Sequence, residues 1–377
     1  MEFELISDPQ ALARASAELS QGEFVYLDTE FDSAREGVRL SLVQASAGRA
    51  VYVIDALALG DLSPLAAALG RADVTWVLHA GLQDVALLTQ RLAIARPARL
   101  FDTQVAWALV SVEHSTSLAY LKYRLLGIRG EKAHQSDDWI RRPLPKAQLA
   151  YAADDVVHLP DLHRALLEQS QRQGRSEAIF AASLEALGNA PEPAAPLALD
   201  AFRNAWQLER EGQSVLRFLV DWYNELAPGE RSSAPDIKGL FAIASRRPKT
   251  LDELGALRAV PRRTVGMHGR SLVAGIQRAV ARAGSLQLEP IEPPPYATRA
   301  ELLAQGLLEA IRAEVCVELV LAPEIALPAR LVRKMREAAV NGGRLEAAAE
   351  CLTGFREPLL REAFFRAAAR YADLPLG

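Results

Sequence analysis

The sequence predicts an α/β domain followed by two small all-α domains, and three observations lead to this prediction. Strand-length apolar runs alternate with helical patterns over residues 1–170, which is typical of an α/β sheet domain. Two proline-rich stretches, 189–196 and 289–295, cannot continue a helix or a central strand. The residues after each stretch have helical periodicity and almost no strand signal. The predicted domains are 1–188, 198–285 and 297–377, joined by linkers 189–197 and 286–296.

Within the first domain, strands and helices are predicted from hydrophobic periodicity. The predicted strands are Phe24–Asp28, Arg39–Ala45, Ala50–Asp55 and Asp73–His79. The predicted helices are Ser63–Leu69, Leu82–Leu92, Thr103–Val110, Ser117–Leu125 and Lys146–Leu167.

The overall composition indicates a reduced, cytoplasmic protein. The chain has 377 residues, half of them apolar, and a net charge of −4, so any basic surface must be local. Its two cysteines, Cys316 and Cys351, are far apart and form no C-x-x-C pair. The N-terminus lacks the apolar core of a secretory signal, and no apolar run is long enough to span a membrane.

Two acidic motifs follow apolar strands. Asp28 and Glu30 lie two residues apart at a strand end, so their side chains point to the same face of the sheet. Two carboxylates this close repel unless a cation or a shared proton intervenes, although acids facing water are the simpler interpretation of this motif alone. Asp84 follows the strand that ends at His79 and falls in the first turn of a helix, where acids are common for dipole reasons.

A third motif, on a later helix, favours the interpretation that all three motifs form one site. Tyr151 and Asp155 are four residues apart and therefore share a helix face, while small Ala152 and Ala153 allow close approach to the sheet. Asp154 lies off that face and is expected to meet solvent.

These residues resemble the DEDD exonuclease superfamily, which has a ribonuclease H-like fold. The tyrosine marks the DEDDy branch, because the histidine branch would carry its histidine at position 150, which is Ala150 here. The flanking sequence resembles the ribonuclease D family over essentially all of residues 1–170, although Glu131-Lys132-Ala133 replaces the frequent D-K-S. The matching set is Asp28, Glu30, Asp84, Tyr151 and Asp155, within LDTEF, RLSLVQ, LHAGLQD, FDTQVA, EKAHQSDDWIRRPL and QLAYAADDVVHL.

The resemblance implies a mixed sheet with flanking helices and a 3′-5′ exoribonuclease that releases nucleoside 5′-monophosphates. It implies two divalent cations, Mg²⁺ or Mn²⁺, with Asp28 contacting both. Glu30 and Asp155 would hold one cation, and Asp84 would support the other. Tyr151 would orient the attacking water, because a phenol with a pKa of about 10 is a poor general base. The implied substrate is RNA with a free 3′ end, in particular tRNA precursors.

Basic residues in two regions are candidates for RNA contact. In the loop before the last helix of the first domain these are Lys132, Arg141 and Arg142, with solvated arginines as the alternative. Residues 229–283 contain eleven Lys or Arg against four Asp or Glu, which is equally typical of a phosphate-binding surface and of a solvated helical face. We expect two short helices with a glycine turn near Gly269, whose backbone N–H groups could receive a phosphate. The candidates here are Lys249, Arg262, Arg263, Gly269 and Arg270.

Both helical segments have a looser resemblance than the catalytic motifs. Residues 200–283 resemble the HRDC domain, and 297–377 are interpreted as a second, diverged HRDC-like domain. Deletion of 198–377 is therefore expected to spare cleavage of a short oligonucleotide. A 3′-5′ DNA exonuclease and a non-cutting nucleic-acid-binding protein remain alternatives, because contacts to the 2′-hydroxyl cannot be assigned from sequence. The physiological RNA, the metal used in the cell and the oligomeric state stay open.

Overall fold

A computed structural model describes residues 2–34, 37–129, 137–188, 196–231, 233–284, 291, 296–372 and 374. The chain forms two compact units. Unit 1 comprises residues 1–33, 38–190 and 297–377, whereas unit 2 comprises residues 34–37 and 191–296. Unit 1 is therefore assembled from the N-terminal domain and the C-terminal segment of the chain.

Unit 1 contains a six-stranded mixed sheet. Its strands are β1 (Glu4–Ile6), β2 (Phe24–Ala34), β3 (Gly37–Ser46), β4 (Val51–Asp55), β5 (Thr75–Leu78) and β6 (Arg99–Asp102). The strand order is β1-β4-β3-β2-β5-β6. Strand β1 is parallel to β4, β5 is parallel to both β2 and β6, and β3 is antiparallel to β4. The strand that carries Asp28 and Glu30 thus lies inside the sheet, with a neighbour on each side.

Fourteen helical segments belong to unit 1 within the described residues, including one 3-10 segment. Those of the N-terminal part are α1 (Pro9–Leu19), α2 (Ala56–Leu59), α3 (Ser63–Leu69), α4 (Leu82–Leu92), α5 (Thr103–Val110), α6 (Leu118–Leu126), α7 (Lys146–Val157), α8 (Leu159–Arg172) and α9 (Ser176–Gly188). Those of the C-terminal part are α15 (Arg299–Glu318), α16 (Pro323–Ala326), α17 (Ala329–Gly342), the 3-10 segment Leu345–Cys351 and α18 (Arg356–Ala369).

The single helix predicted over Lys146–Leu167 is wrong, because the structure has two helices there. Helix α7 ends at Val157 and α8 begins at Leu159. Pro160 lacks a backbone N–H and therefore cannot continue the hydrogen-bond ladder of α7.

Alternation along β2 divides the core of the unit between the two faces of the sheet. Val25 and Leu27 belong to a cluster that includes residues of α1, α3 and α4, whereas Tyr26 belongs to a cluster with residues of α5 and α8. Successive strand side chains point to opposite faces, so Asp28 lies on the same face as Tyr26. The acidic motif is therefore on the face that α7 and α8 cover.

The C-terminal helices share the core of the N-terminal domain. Leu109 and Leu166 lie in the same buried cluster as Leu308 and Phe364. The backbone N–H of Ala322, just before α16, donates a 2.8 Å hydrogen bond to the carbonyl oxygen of Ala108 in α5.

Two buried arginines strengthen this junction. The Arg175 guanidinium donates to the carbonyl oxygens of Leu109 at 2.9 Å and Leu319 at 2.5 Å, which joins the ends of α5 and α15. The Arg356 guanidinium donates to the Glu185 carboxylate at 2.5 Å. The sequence predicts a separate small domain for 297–377, whereas the structure assigns this segment to unit 1, because its apolar helix faces are buried in the core of the N-terminal domain.

In the described residues between 196 and 296, the regular secondary structure of unit 2 is helical. Its α-helices are α10 (Arg210–Glu225), α11 (Pro228–Arg231), α12 (Ile237–Arg246), α13 (Leu251–Gly255) and α14 (Arg262–Arg282). Leu216, Leu240 and Leu272 are fully buried in one core shared by three of these helices. Thr250 caps α13, where its hydroxyl accepts the N–H of Glu253 at 3.2 Å. The two predicted linkers, 189–197 and 286–296, fall largely outside the described residues.

The predicted pair of short helices around Gly269 is wrong. Residues 262–282 form one continuous helix, α14, and Gly269 is buried near its middle. A Cβ at this position would lie 2.8 Å from Cδ2 of Leu251, so glycine allows α13 to pack closely against α14. Gly269 therefore presents no free helix N-terminus to a phosphate.

His163 of α8 is buried in an aromatic environment beneath the sheet. Its ring centroid lies 4.8 Å from that of Phe24 and 4.5 Å from that of Phe101, and its Nδ1 is 3.3 Å from the Tyr26 hydroxyl. Its Nε2 has no hydrogen-bond partner among the residues that the structure describes. Burial lowers the pKa of His163 to about 4, because the imidazolium would lose its hydration.

We expect His163→Phe to make unit 1 more resistant to acid. Between the unfolded pKa of about 6.5 and the folded value of about 4, the unfolded chain binds a proton that the native state excludes, so stability falls as the pH decreases. The loss amounts to about 3 kcal/mol at the acid end of this range, and the variant should not show it. Urea unfolding at pH 7 and pH 4.5 measures the difference. Exposed His114→Gln is the control, and an unchanged acid dependence in His163→Phe would contradict the assignment.

Candidate active site

The first two acids of the site lie on β2. Asp28 and Glu30 are both half-buried, and their spacing places both carboxylates on the sheet face covered by α7. Thr29, between them, points to the opposite side and is buried.

The third acid, Asp84, is placed by a tight turn between β5 and α4. Ala80 has a left-handed backbone conformation with φ 53°, and Gly81 is the N-cap of α4. A Cβ at Gly81 would lie 2.5 Å from Cβ of Leu78, so only glycine fits here. The Asp102 carboxylate accepts the N–H groups of Ala80 at 3.0 Å and Gly81 at 2.9 Å. Asp102, which also caps α5, thus fixes the turn from which Asp84 projects.

Asp84 itself is held by Thr29. The Thr29 hydroxyl donates a 2.5 Å hydrogen bond to Oδ1 of Asp84, and both side chains are buried. This bond links the third acid to the strand that carries the first two.

The fourth acid and the tyrosine lie on α7. Ala152 and Ala153 are fully buried against Leu42 and Val53 of the sheet, as their small size predicts. The rings of Tyr151 and buried Trp139 have centroids 6.4 Å apart. Close packing of α7 on the sheet brings Asp155 to the strand acids.

Three of the four predicted acids gather around one point. Each of Asp28, Glu30 and Asp155 offers a carboxylate oxygen within 4.8 Å of the others, the only such group of possible metal ligands in the described part of the chain. Asp84 stands outside that group and is connected to it through Thr29.

The electrostatics of the cluster favour the binding of positive charge. Burial raises the pKa of Glu30 to about 8, and Asp155 and Asp84 contribute to the rise. Burial raises the pKa of Asp155 to about 7, against the Lys122 ammonium, which lowers it. Burial also raises the pKa values of Asp28 and Asp84, with Asp84 the leading charged neighbour of Asp28. An all-oxygen donor set under mutual repulsion fits hard divalent cations such as Mg²⁺ or Mn²⁺.

His79, at the end of β5, has a structural environment. Its Nδ1 is 2.9 Å from the Thr103 hydroxyl and its Nε2 is 3.0 Å from the carbonyl oxygen of Thr116. Burial lowers the pKa of His79, so the ring is neutral near pH 7.

Of the three basic residues proposed beside the site, Arg142 has partners within the protein. Its Nε and Nη2 donate to the two Asp55 carboxylate oxygens at 2.6 and 2.8 Å, and its Nη1 donates to the carbonyl oxygen of Trp139. The guanidinium therefore fixes the 137–145 loop to β4, and a phosphate contact by Arg142 stays a prediction. Arg141 is exposed, and Lys132 lies outside the described residues.

In unit 2, four of the five predicted RNA-binding residues are exposed. These are Lys249, Arg262, Arg263 and Arg270, whereas Gly269 is buried within α14. Their role stays a prediction.

Sequence reasoning missed the residues that orient the site. Asp102 and Thr29 support Asp84, while buried Lys122 contacts Asp154, which therefore does not simply face solvent. A sequence signal exists only for Asp102, which stands directly before α5 as a helix cap would.

We expect Thr29→Val to weaken cation binding, whereas Thr29→Ser should behave like the unchanged protein. Valine keeps the volume of threonine but removes the donor to Asp84, so this carboxylate loses its fixed orientation. Loss of one such bond to a charged group weakens affinity by about tenfold. Titration with Mn²⁺, followed by the paramagnetic resonance signal of the free ion, measures the change. Equal affinity in the Val and Ser variants would contradict a positioning role.

The chain is similar to known proteins along most of its length. A family model described as a 3′-5′ exonuclease matches residues 3–171. Ribonuclease D of Pseudomonas paraeruginosa is 30% identical over 373 residues, which cover 97% of each chain. Ribonuclease D of Escherichia coli is 30% identical over 287 residues, covering 74% of this chain and 75% of that protein.

The fold is also that of a solved structure. The crystal structure of Escherichia coli RNase D, an exoribonuclease involved in structured RNA processing, matches with a TM-score of 0.72. The match covers 99% of this chain and 100% of that one at 24% identity, and it confirms the predicted fold class. Since the chain also matches a curated relative at 30% identity over nearly its entire length, it belongs to the ribonuclease D family.

Proposed function

We propose that this protein hydrolyses RNA from its 3′ end and releases nucleoside 5′-monophosphates with the help of two divalent cations. The observation that carries the proposal is the convergence of the Asp28, Glu30 and Asp155 carboxylates, with Asp84 tied to them by Thr29. Membership of the ribonuclease D family supports the same activity.

Each residue of the site has a proposed role. When bound, paired divalent cations would stabilise charge on the attacking and departing oxygens of an in-line displacement. Asp28 would contact both cations, Glu30 and Asp155 would hold the one beside the attacking water, and Asp84 would hold the other. Tyr151 would orient the attacking water by a hydrogen bond.

The substrate we propose is a tRNA precursor or another structured RNA with a single-stranded 3′ tail. The Escherichia coli relative is described as acting in structured RNA processing, which supports this substrate class. Exposed Lys249, Arg262, Arg263 and Arg270 of unit 2 are proposed to bind the phosphate backbone. Alanine substitutions at these four positions, with RNA affinity compared at two salt concentrations, test that role.

Incubation with a 3′-extended tRNA and a matched DNA, with and without Mg²⁺, tests the proposed activity. We expect mononucleotides from the RNA only when Mg²⁺ is present, and none when a 3′-phosphate blocks the end. Faster shortening of the DNA would favour a DNA exonuclease, and no shortening with either Mg²⁺ or Mn²⁺ would favour a binding protein.

Among the helices of the described residues, none has the length and apolarity needed to cross a membrane, and a cytoplasmic location stays a prediction.

A further inference from the structure

Lys122 of α6 is an unusual buried cation. Its side chain is 3% exposed, although lysine is almost never fully buried unless it is paired. Its ammonium forms an ion pair with the Asp154 carboxylate and approaches the backbone carbonyl oxygen of the same residue at 3.4 Å. Lys122 therefore contacts α7 through both the side chain and the backbone of one residue.

The partner of Lys122 directly precedes a residue of the active site. Asp154 lies one position before Asp155 and three after Tyr151 on α7. Because each helical residue rotates by about 100° around the axis, fixing Asp154 against α6 also fixes the direction in which Asp155 and Tyr151 project. Asp154 has a second neighbour in His158. The Nε2 of His158 lies 3.6 Å from Oδ1 of Asp154.

The part of α7 next to Asp154 packs on the sheet through small side chains. Ala152 and Ala153 are fully buried there, and the larger side chains of Leu149 and Val156 are buried on either side of them. An ion pair at the neighbouring position supplies a directional contact. A buried ion pair contributes little net stability compared with an apolar pair of similar volume, so stability alone gives no reason for it.

We infer that the Lys122–Asp154 ion pair is a positioning element that sets the angle at which α7 presents Tyr151 and Asp155 to the cations and the RNA. This inference rests on the proposed function. Lys122 and Asp154 would act through the orientation of α7, without touching the reacting atoms.

The test compares full-length Lys122→Met, Asp154→Leu and the double variant Lys122→Met/Asp154→Leu. Asp154→Leu leaves the buried Lys122 ammonium without its partner and should lower the thermal unfolding midpoint markedly. Lys122→Met leaves the Asp154 carboxylate, which is 33% exposed, and should lower the midpoint less. The double variant removes both charges and should unfold near the midpoint of the unchanged protein. It should nevertheless show a kcat on a short RNA about ten- to a hundredfold lower, because small misplacements of catalytic groups have effects of this size. Its KM for RNA should change little, while its affinity for Mn²⁺ should fall.

A matched control is the exposed ion pair of Arg164 and Asp161 on α8. Arg164→Gln/Asp161→Asn should retain the kcat, the Mn²⁺ affinity and the unfolding midpoint. If the double variant fails to fold, Asp154→Glu serves instead. It keeps the charge but lengthens the side chain by one methylene group, and it should reduce kcat while retaining a native unfolding midpoint.

The possible results separate this inference from the proposed function. A folded double variant, or Asp154→Glu, with unchanged kcat and Mn²⁺ affinity would show that the ion pair has only a structural role and would overturn the inference. If the unchanged protein neither binds Mn²⁺ nor shortens RNA, the proposed function fails, and the inference fails with it.

Discussion

Asp28→Asn is expected to reduce the rate of RNA cleavage by at least about 10³-fold, equivalent to about 4 kcal/mol of transition-state stabilisation. Asp28 lies within the three-carboxylate group, and Asp84 is its leading charged neighbour. Removing its charge leaves the cations without the ligand proposed to join them. RNA affinity should change little, because the phosphate backbone is proposed to bind elsewhere as well.

Metal-free Asp28→Asn should also be more stable than the unchanged protein at pH 8. Burial and three acidic neighbours raise the pKa of Asp28, and a carboxyl whose folded pKa is raised destabilises the native state above its unfolded pKa of about 3.9. A higher unfolding temperature together with lost cleavage separates a catalytic defect from misfolding. Asp61→Asn, at an exposed position outside the cluster, is the control. Cleavage by Asp28→Asn at the normal rate would contradict its assigned role.

Deletion of 297–377 is expected to prevent the remaining fragment from folding. Leu109, Leu166 and several neighbours would lose the apolar helices that cover them, and each such exposure costs about 2 kcal/mol. Arg175 would in addition lose its acceptor at Leu319. Because the total stability of a domain is only about 5–15 kcal/mol, several such losses together are comparable with it. Circular dichroism and the cooperativity of thermal unfolding measure the result.

The matched control removes unit 2 instead. A chain in which residues 191–296 are replaced by a flexible Gly-Ser linker keeps both parts of unit 1 and should unfold cooperatively. It should still cleave a short oligonucleotide, although with weaker binding of long RNA. A folded and active 1–296 fragment would show that the C-terminal helices do not support the catalytic core. This expectation differs from the one drawn from sequence alone, in which loss of the entire 198–377 region spares cleavage of a short oligonucleotide.

Much of the N-terminal fold can be predicted from local sequence patterns. Helices Ser63–Leu69, Leu82–Leu92 and Thr103–Val110 have the predicted bounds. Hydrophobic periodicity is strong there, and glycine, serine or acidic caps stand at the helix ends. Strands β1 and β6 were not predicted, and β1, with three residues, is too short to show a period.

The acidic site is predictable because its residue types and spacing are characteristic. What sequence lacks is the partner of each side chain in three dimensions. In the sequence, nothing distinguishes Arg142 from other basic loop residues, and only the structure shows its contact with Asp55. In the same way, only the structure shows that Lys122 is buried. The same holds for Gly269. The sequence analysis predicts a turn at this glycine, whereas its actual reason, the close approach of Leu251, is a tertiary contact that only the structure shows.

The assignment of residues 297–377 fails for a related reason. Apolar helix faces at Leu308 and Phe364 predict that this segment packs against something, but periodicity does not say against what. The structure shows the partner, because Arg175 donates to the carbonyl oxygen of Leu319, more than a hundred residues away in sequence.

Diffraction from a crystal containing Mn²⁺, recorded at the manganese absorption edge, tests directly whether the four acids form a site for paired cations. We expect two anomalous peaks about 4 Å apart, with Asp28 in contact with both and with Glu30, Asp155 and Asp84 completing the ligands. A single peak, or peaks remote from Asp28 and Asp155, would contradict the two-cation site on which the proposed hydrolysis depends.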